Sequence, residues 1–299
     1  DFLNCKMMLG ARRLLVRSLS SEAAATCAST PKQFVAPASD ATTTREKMEF
    51  RGSDGAMLAA LLETPAQEPA KAFVLFAHCF TCGKDVLSAK YISAALSKSG
   101  MGCLRFDFTG LGMSEGEFEN TNFSSNVEDL VAAAAHLRTN FAAPQVLVGH
   151  SLGGAAVLAA SSQVPECRAV AVVGAPFDPA HVLHNFQQDD LAKVDAQGEA
   201  HVTLAGRSFK VKKQFLDDLR GGDPRPAIAQ LHRALLILHA PTDDTVGIDN
   251  AAALFAAAKH PKSFVSLDGA NHLLSSKKDA LYAGDVIATW AQRYISSST

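Results

Sequence analysis

The chain has 299 residues, of which 47% are hydrophobic, and a formal net charge of −2. This near-neutral balance provides no basic face, so nucleic acid is a poor candidate partner. No apolar run reaches the roughly 18 residues that a membrane-spanning helix needs. The length and apolar content suit a sizeable hydrophobic core, in one large domain or two small ones.

The N-terminal segment differs in composition from the rest of the chain. Arginines at positions 12, 13 and 17 alternate with leucines and serines, and no acidic residue lies between Asp1 and Glu22. This pattern is typical of an organelle transit peptide, and arginine favours the mitochondrial matrix over the cytoplasm, which is the alternative. We therefore expect residues 1–43 to be a targeting and linker extension, in which Met7 or Met8 is the initiator of the natural protein. The other interpretation is a disordered tail.

From residue 44 onward, strand-like and helix-like segments alternate. The first two strands are joined by a turn signal and predict an antiparallel hairpin, and the later ones predict a doubly wound, mostly parallel α/β sheet. The predicted strands are Lys47–Arg51, Met57–Glu63, Ala72–Ala77, Met101–Phe106, Gln145–Val148, Arg168–Val173, Ala234–Leu238 and Ser263–Leu267, and the predicted helices are Asp85–Ser99, Asn122–Asn140, Gly154–Ser162, Asp249–Lys259 and Lys277–Tyr294.

A long polar insert, about residues 177–232, separates two of the predicted core strands. Within it, Ala200–Val211 predicts a small hairpin around Ala205-Gly206-Arg207. An insert of this length is commonly a lid over a functional site. We therefore expect one α/β domain over residues 44–299 that carries a cap.

The segment Gly149-His-Ser151-Leu-Gly153 spells G-x-S-x-G between a predicted strand and a predicted helix. A serine at such a turn is held in a strained conformation with Oγ exposed and the first amides of the helix beneath it. Gly149 and Gly153 would let the strand and helix backbones approach closely. The pattern identifies Ser151 as a candidate nucleophile.

A serine nucleophile needs a base, an orienting acid and an anion hole. Asp243 and His272 each follow a predicted strand, at the sheet edge where catalytic groups gather. The chain order serine, acid, histidine is the one that accompanies this kind of elbow. We expect His272 to be the base and Asp243 the orienting acid, with Asp244 as the alternative acid.

The anion hole should use two backbone N–H groups. One belongs to the residue after the nucleophile, Leu152, and the other comes from the loop after the strand that ends at Ala77. We expect Phe80 to provide the second N–H, with Cys79 as the alternative.

Five other histidines lie near predicted strand ends or in the insert. Those that follow strand ends are expected to bond loop backbone, and those in the insert are expected at the surface, although they could line a pocket. The first group is His78, His150 and His239, and the second is His181 and His184.

The six cysteines, at positions 5, 27, 79, 82, 103 and 167, are scattered. They are expected to be free thiols in a reducing compartment. Cys79 and Cys82 form C-x-x-C, but no second pair has metal-ligand spacing, so zinc is not expected. An oxidisable thiol pair beside the anion hole is the alternative.

The elbow, the groups after the strand ends and several loop motifs together resemble the α/β-hydrolase superfamily, in its branch of serine esterases, lipases and aminopeptidase-like proteins. The resemblance covers about residues 47–295. More narrowly, the chain is similar to the hydrolase half of bacterial proteins that are fused to an OsmC-like domain. The chain departs at Cys79, where most members have glycine. The motifs that carry the narrower resemblance are His78-Cys-Phe-Thr-Cys82, Phe106-Asp-Phe-Thr-Gly-Leu-Gly112, Asn120-Thr-Asn-Phe-Ser-Ser-Asn126 and Gly174-Ala-Pro-Phe-Asp-Pro179.

This resemblance implies a serine hydrolase that cleaves a small ester, thioester or amide through an acyl-enzyme, without a metal or cofactor. Acyl transfer to an alcohol would use the same groups. Because fold alone does not fix function, the alternative hypothesis is a catalytically silent subunit of a larger, mitochondrial protein complex.

Overall fold

The computed structural model of the protein describes residues 42–295. The targeting extension predicted over residues 1–43 lies outside this range apart from its last two residues, so it stays a prediction. The strands are β1 (Thr43–Arg51), β2 (Met57–Pro65), β3 (Ala72–Ala77), β4 (Met101–Phe106), β5 (Pro144–His150), β6 (Ala169–Val173), β7 (Glu199–Leu204), β8 (Arg207–Lys212), β9 (Ala234–His239) and β10 (Lys262–Ser266).

Eight α-helices accompany these strands in the described part of the chain. They are α1 (Leu87–Lys98), α2 (Phe123–Asn140), α3 (Leu152–Ala160), α4 (Gln188–Gln197), α5 (Lys213–Arg220), α6 (Arg225–Ala229), α7 (Asp249–Ala257) and α8 (Lys277–Ala291), with short 3-10 helices at Phe118–Asn120, Ser161–Gln163 and Pro179–Asn185. Within residues 42–295, none of these helices is both long and apolar enough to cross a membrane.

The main sheet has eight strands in the order β1-β2-β4-β3-β5-β6-β9-β10. β1 pairs with β2 and β2 with β4 in antiparallel fashion, and all the remaining pairs are parallel. The prediction of a mostly parallel sheet that starts with an antiparallel hairpin is therefore confirmed.

Alternate residues of the central strands pack into two separate hydrophobic cores, one on each face of the sheet. Along β5, Leu147 packs with α2, α3 and α7 on one face, whereas Val146 and Val148 pack with α1 and α8 on the other. Strands that are buried on both faces have continuous apolar sequences, and this is why they could be predicted from the sequence. The predicted strands and helices of the main domain are all present, with bounds shifted by at most four residues.

Parallel pairing aligns the carboxyl ends of the central strands. His150 at the end of β5 lies opposite Val173 of β6, which in turn lies opposite Leu238 of β9. Leu238 then pairs with Val265 near the end of β10. The loops that follow these four strands consequently meet at one edge of the sheet.

The insert between β6 and β9 contains the predicted hairpin, formed by β7 and β8, together with three helices that the sequence did not reveal, α4, α5 and α6. Its own apolar cluster includes Val202, Phe215 and Leu216, and it extends to Leu152 and Ala155 of α3. The insert thus packs on the first turns of the helix that follows Ser151.

Candidate functional site

Ser151 occupies the sharp turn that the sequence predicted between β5 and α3. Its φ of 55° and ψ of −127° lie in a region that non-glycine residues rarely adopt. The backbone N–H of Ser151 donates to the carbonyl of Val173, 2.9 Å away. Such a conformation costs about 1–3 kcal/mol and persists only where the surroundings enforce it.

Two glycines allow the backbone to pack around this turn. A Cβ atom at Gly149 would collide with the carbonyl of Gly153, and one at Gly153 would collide with the carbonyls of Ala77 and His78. The strand β5 and the helix α3 are therefore in direct backbone contact, as the glycines predicted, and the end of β3 with the loop after it joins this contact, which was not predicted.

Ser151, His272 and Asp243 form one hydrogen-bonded chain. The Oγ atom of Ser151 lies 2.9 Å from Nε2 of His272, and Nδ1 of His272 lies 2.8 Å from Oδ2 of Asp243. All three side chains are buried. The other oxygen of Asp243 accepts the backbone N–H groups of Thr245, at 3.0 Å, and Val246, at 2.8 Å.

These bonds define the charge state of the acid. Burial works to raise the pKa of Asp243, but the hydrogen bonds from His272 and from the N–H groups of Val246 and Thr245 outweigh it and lower the pKa below its ordinary value. An ionised carboxylate can only accept, so Nδ1 of His272 carries the hydrogen and Nε2 is left to accept the Ser151 hydroxyl.

Asp244, the alternative acid, lies outside this chain of hydrogen bonds. Its side chain is exposed and accepts the hydroxyl of Thr245 at 3.2 Å. The structure therefore brings Asp243, rather than Asp244, to the histidine. Whether the three groups act in catalysis stays a prediction.

The two predicted anion-hole residues flank the serine. Leu152 is the first residue of α3, and Phe80 lies in the loop after β3. Among residues 42–295, no backbone hydrogen bond outside the regular helices and strands uses the N–H of Leu152 or Phe80 as donor. Their role as an anion hole stays a prediction. Cys79, the alternative donor, lies directly before Phe80.

A cavity of about 540 Å³ opens over Ser151 and His272. Its volume falls within the roughly 300–1,000 Å³ of small-molecule sites. Leu204, Ala205 and Arg207 of the insert hairpin form part of its wall, as a cap would. No group of three or more His, Cys, Asp or Glu within residues 42–295 is arranged to hold a metal ion.

The cysteines correct one prediction. Cys79 and Cys82 are joined by a disulfide bond, with their Cα atoms 5.3 Å apart, so the prediction of free thiols is wrong for this pair. The chain turns tightly between them, because the N–H of Cys82 donates to the carbonyl of Cys79 at 3.1 Å. Cys103 and Cys167 are free and buried.

The three histidines after strand ends do bond loop backbone, as expected. His78 donates to the carbonyl of Cys79 at 2.8 Å, His150 to that of His272 at 2.7 Å, and His239 to that of Val246 at 2.7 Å. Burial lowers the pKa of all three rings, to about 4 for His150. The three rings are consequently uncharged at neutral pH, and each stabilises a loop through its hydrogen bond to a backbone carbonyl.

The two insert histidines lie away from the serine. Their ring centroids are 4.6 Å apart, and both residues line a separate cavity. His181 is half-buried and donates a hydrogen bond to the carbonyl of Thr245 at 2.8 Å, whereas His184 is exposed.

Sequence reasoning missed the role of Gly174, which follows β6. Its φ is +54°, and a Cβ atom there would lie 3.3 Å from both Oδ2 of Asp243 and Nδ1 of His272. The close approach of this glycine therefore leaves room for the acid–histidine pair. The signals in the sequence were a glycine directly after a buried strand and its place in the motif Gly174-Ala-Pro-Phe-Asp-Pro179.

A buried ion pair that was also missed supports the loop after β3. Asp107 accepts the ammonium group of Lys84 at 2.6 Å, the backbone N–H of Lys84 at 2.6 Å and that of Met113 at 2.9 Å. These bonds join the loop after β3, which contains Phe80, to the loop after β4.

Comparison with known proteins agrees with the fold. A model of the alpha/beta hydrolase family matches residues 74–283. The esterase domain of a Rhodothermus marinus protein is 47% identical in sequence, with a TM-score of 0.70, and the alignment covers 85% of this chain and 100% of that domain.

Other similarities are more limited. The palmitoyl-protein thioesterase ABHD10, mitochondrial, of Homo sapiens is 34% identical over 89 residues, which cover 30% of this chain and only 28% of that relative. The structure of alpha/beta hydrolase domain-containing protein 10 from mouse has a TM-score of 0.65 at 17% identity. The alignment covers 83% of this chain and 99% of the mouse chain, and at this identity it shows the shared fold alone.

The packing of Gly174 predicts that Gly174→Ala crowds the acid–histidine pair. We expect the rate at which a fluorophosphonate labels Ser151 to fall about 10- to 100-fold, because small displacements of reacting groups are costly. Gly198→Ala is the matched control, since Gly198 also has a positive φ, +84°, but nothing within 4 Å. Equal labelling rates in both variants would contradict this account.

The buried histidines predict acid instability. The pKa of His150 is about 4 in the folded chain and about 6.5 when exposed, so the unfolded chain takes up the proton first as pH falls. The contribution of His150 to the free energy of unfolding is fully present above about pH 6.5. It is lost as the pH falls toward about 4, by up to about 3 kcal/mol. Urea unfolding of wild type and His150→Gln between pH 7 and 4 checks this, and the variant should lose less. Parallel curves would refute it.

Proposed function

The chain belongs to the alpha/beta hydrolase family, and we propose that it is a serine hydrolase that cleaves a small ester, thioester or amide through an acyl-enzyme. The observation that carries this proposal is the unbroken chain of hydrogen bonds from Ser151 through His272 to Asp243. A serine hydroxyl is a weak nucleophile, and an adjacent oriented base is what activates it.

In the proposed reaction, Oγ of Ser151 attacks the carbonyl carbon while Nε2 of His272 takes its proton. The histidine then gives this proton to the leaving group, and an acyl-enzyme remains. Water attacks the acyl group in the second half, with His272 again as the base, and the acid is released. Asp243 holds the ring in position and stabilises its positive charge.

The N–H groups of Leu152 and Phe80 would stabilise the negative oxygen that forms in each half. Each such donor is typically worth about 10²- to 10³-fold in turnover. Both lie in fixed backbone, since Leu152 begins α3 and Phe80 lies between two bonded cysteines.

The apolar part of the cavity wall supports a compact, apolar acyl group, although Asn185, Arg207 and Thr245 also line the cavity. Phe80, Leu204 and Leu273 line the cavity that contains the serine. Similarity to an esterase domain over 85% of the chain supports ester cleavage, and the short similarity to a palmitoyl-protein thioesterase supports thioesters as further candidates. A catalytically silent subunit and acyl transfer to an alcohol are the alternatives that the experiments below separate.

Ser151→Ala should remove the activity and leave the fold intact. We expect wild type to gain one fluorophosphonate adduct by intact mass and the variant none, and turnover of p-nitrophenyl esters to fall at least roughly 10³-fold. Ser161→Ala, at the far end of α3, is the matched control and should react like wild type. An unreactive wild type would favour the silent subunit, and an ester product formed with added alcohol would indicate acyl transfer.

The two neighbouring aspartates make a matched pair of variants. Asp243→Asn should lower kcat about 10³- to 10⁴-fold, because an amide cannot hold the imidazolium. Asp244→Asn should change kcat less than about twofold, since this exposed side chain does not touch His272 and exposed charges contribute little. Steady-state kinetics on one ester substrate checks both, and equal losses would refute the assignment of the acid.

We also propose a mitochondrial location, which the arginine-rich N-terminal segment and the short similarity to a mitochondrial relative support. Residues 1–43 fused to a fluorescent protein should be imported into mitochondria. The triple variant Arg12→Gln, Arg13→Gln, Arg17→Gln should remain in the cytosol, because import signals need the positive charges. Cytosolic fluorescence of the unaltered fusion would contradict the proposal.

A further inference from the structure

The disulfide lies at a notable position relative to the proposed anion hole. Cys79 and Cys82 are bonded through their sulfurs and also through the hydrogen bond from the N–H of Cys82 to the carbonyl of Cys79. Phe80 and Thr81 are therefore enclosed in a small ring. The N–H that should receive the substrate oxygen belongs to this ring.

The backbone inside the ring is strained. Thr81 has a φ of 57° and is buried. A positive φ is a genuine outlier for a β-branched residue, and it persists only when the surroundings enforce it. Two constraints act on Thr81 here, namely the disulfide that closes the ring and a hydrogen bond from the guanidinium of Arg207 to the Thr81 carbonyl.

We propose that the Cys79–Cys82 disulfide is a positioning element for the Phe80 N–H, and that its reduction by a dithiol lowers turnover. This inference rests on the proposed function, because it needs Phe80 to donate to the reacting oxygen. Without the disulfide, only the hydrogen bond from Arg207 holds Thr81 in its strained conformation. Relaxation of Thr81 would move the N–H of the preceding residue, Phe80.

The disulfide is within reach of a reductant. Cys79 and Cys82 line the same cavity as Ser151. Cys79 is 4% exposed, whereas Cys82 is half-buried, so an entering thiolate meets the sulfur of Cys82 first. The cavity that admits substrate would thus also admit a small dithiol.

The reaction is ordinary thiol–disulfide exchange. A thiolate of the dithiol bonds to the sulfur of Cys82, and the Cys79 sulfur leaves with the bonding electron pair and takes up a proton. The second thiol of the reductant then displaces Cys82, which is protonated in turn. The products are two protein thiols and the oxidised, cyclic reductant, with two electrons transferred.

The other two cysteines that the structure describes should not interfere. Burial raises the pKa of Cys103 to about 12 and that of Cys167 to about 11, which keeps both thiols protonated and unreactive. Alkylation under native conditions can therefore report the state of the ring cysteines, with peptide mapping to separate them from the cysteines at positions 5 and 27.

The test compares oxidised and reduced protein. Purified full-length chain is treated with dithiothreitol, freed of it under nitrogen, and assayed with a p-nitrophenyl ester, and iodoacetamide labelling verifies free thiols at Cys79 and Cys82. We expect kcat to fall about 10-fold with KM changed less than about twofold, since anion-hole donors act on the transition state. Reoxidation with excess oxidised glutathione, which accepts the two electrons and leaves as two molecules of reduced glutathione, should restore kcat.

The double variant Cys79→Ser, Cys82→Ser should have the low kcat without reductant and should not respond to it. If this variant does not fold, the reversible change in wild type decides alone. If the reduced protein, with Cys79 and Cys82 shown to be free or alkylated, has the same kcat as the oxidised protein, the inference is overturned and the proposed function stands. Oxidised protein that neither turns over nor reacts with fluorophosphonate would overturn both.

Discussion

The strained turn at Ser151 is the constraint on which the rest of the site depends. Its φ of 55° is maintained because Gly149 and Gly153 let β5, α3 and the loop after β3 meet backbone to backbone, and because the N–H of Ser151 is bonded to Val173 of the next strand. The turn fixes the direction of Oγ and of the first helical N–H together. The free energy stored there, about 1–3 kcal/mol, is offset by the two buried cores on which β5 rests.

Three neutral histidines extend this rigidity to the neighbouring loops. His150 holds the carbonyl of His272, His239 holds that of Val246, whose N–H in turn bonds Asp243, and His78 holds the carbonyl of Cys79. A buried imidazole suits this task because it provides one donor without a charge. Each loop that carries a proposed catalytic group is thus fixed by a ring that itself takes no part in the reaction.

The sequence predicted the main sheet and the serine–histidine–aspartate cluster because both follow from patterns local to each segment, namely continuous apolar runs and polar residues directly after them. It did not reveal α4, α5 and α6 of the insert, although α5 buries Phe215, Leu216 and Leu219 at helical spacing. All three helices are short, and α4 and α6 bury only one residue each. The bond between Cys79 and Cys82 depends on how the turn between them folds, and the contact of Gly174 with the acid–histidine pair depends on strands far apart in sequence. The C-x-x-C pattern left an oxidisable pair open as an alternative without deciding between bond and free thiols, and no local pattern encodes the contact of Gly174.

The insert contacts both sides of the proposed anion hole. Leu152, one predicted donor, is part of the apolar cluster that holds the insert together, and Arg207 of the insert hairpin bonds the carbonyl of Thr81, next to the other donor. A movement of the insert would therefore displace the groups that bind the reacting oxygen as well as the cavity wall. Because anion-hole donors act only through accurate placement, the insert would, if the proposed function holds, both shape the substrate cavity and control how well the reacting oxygen is held.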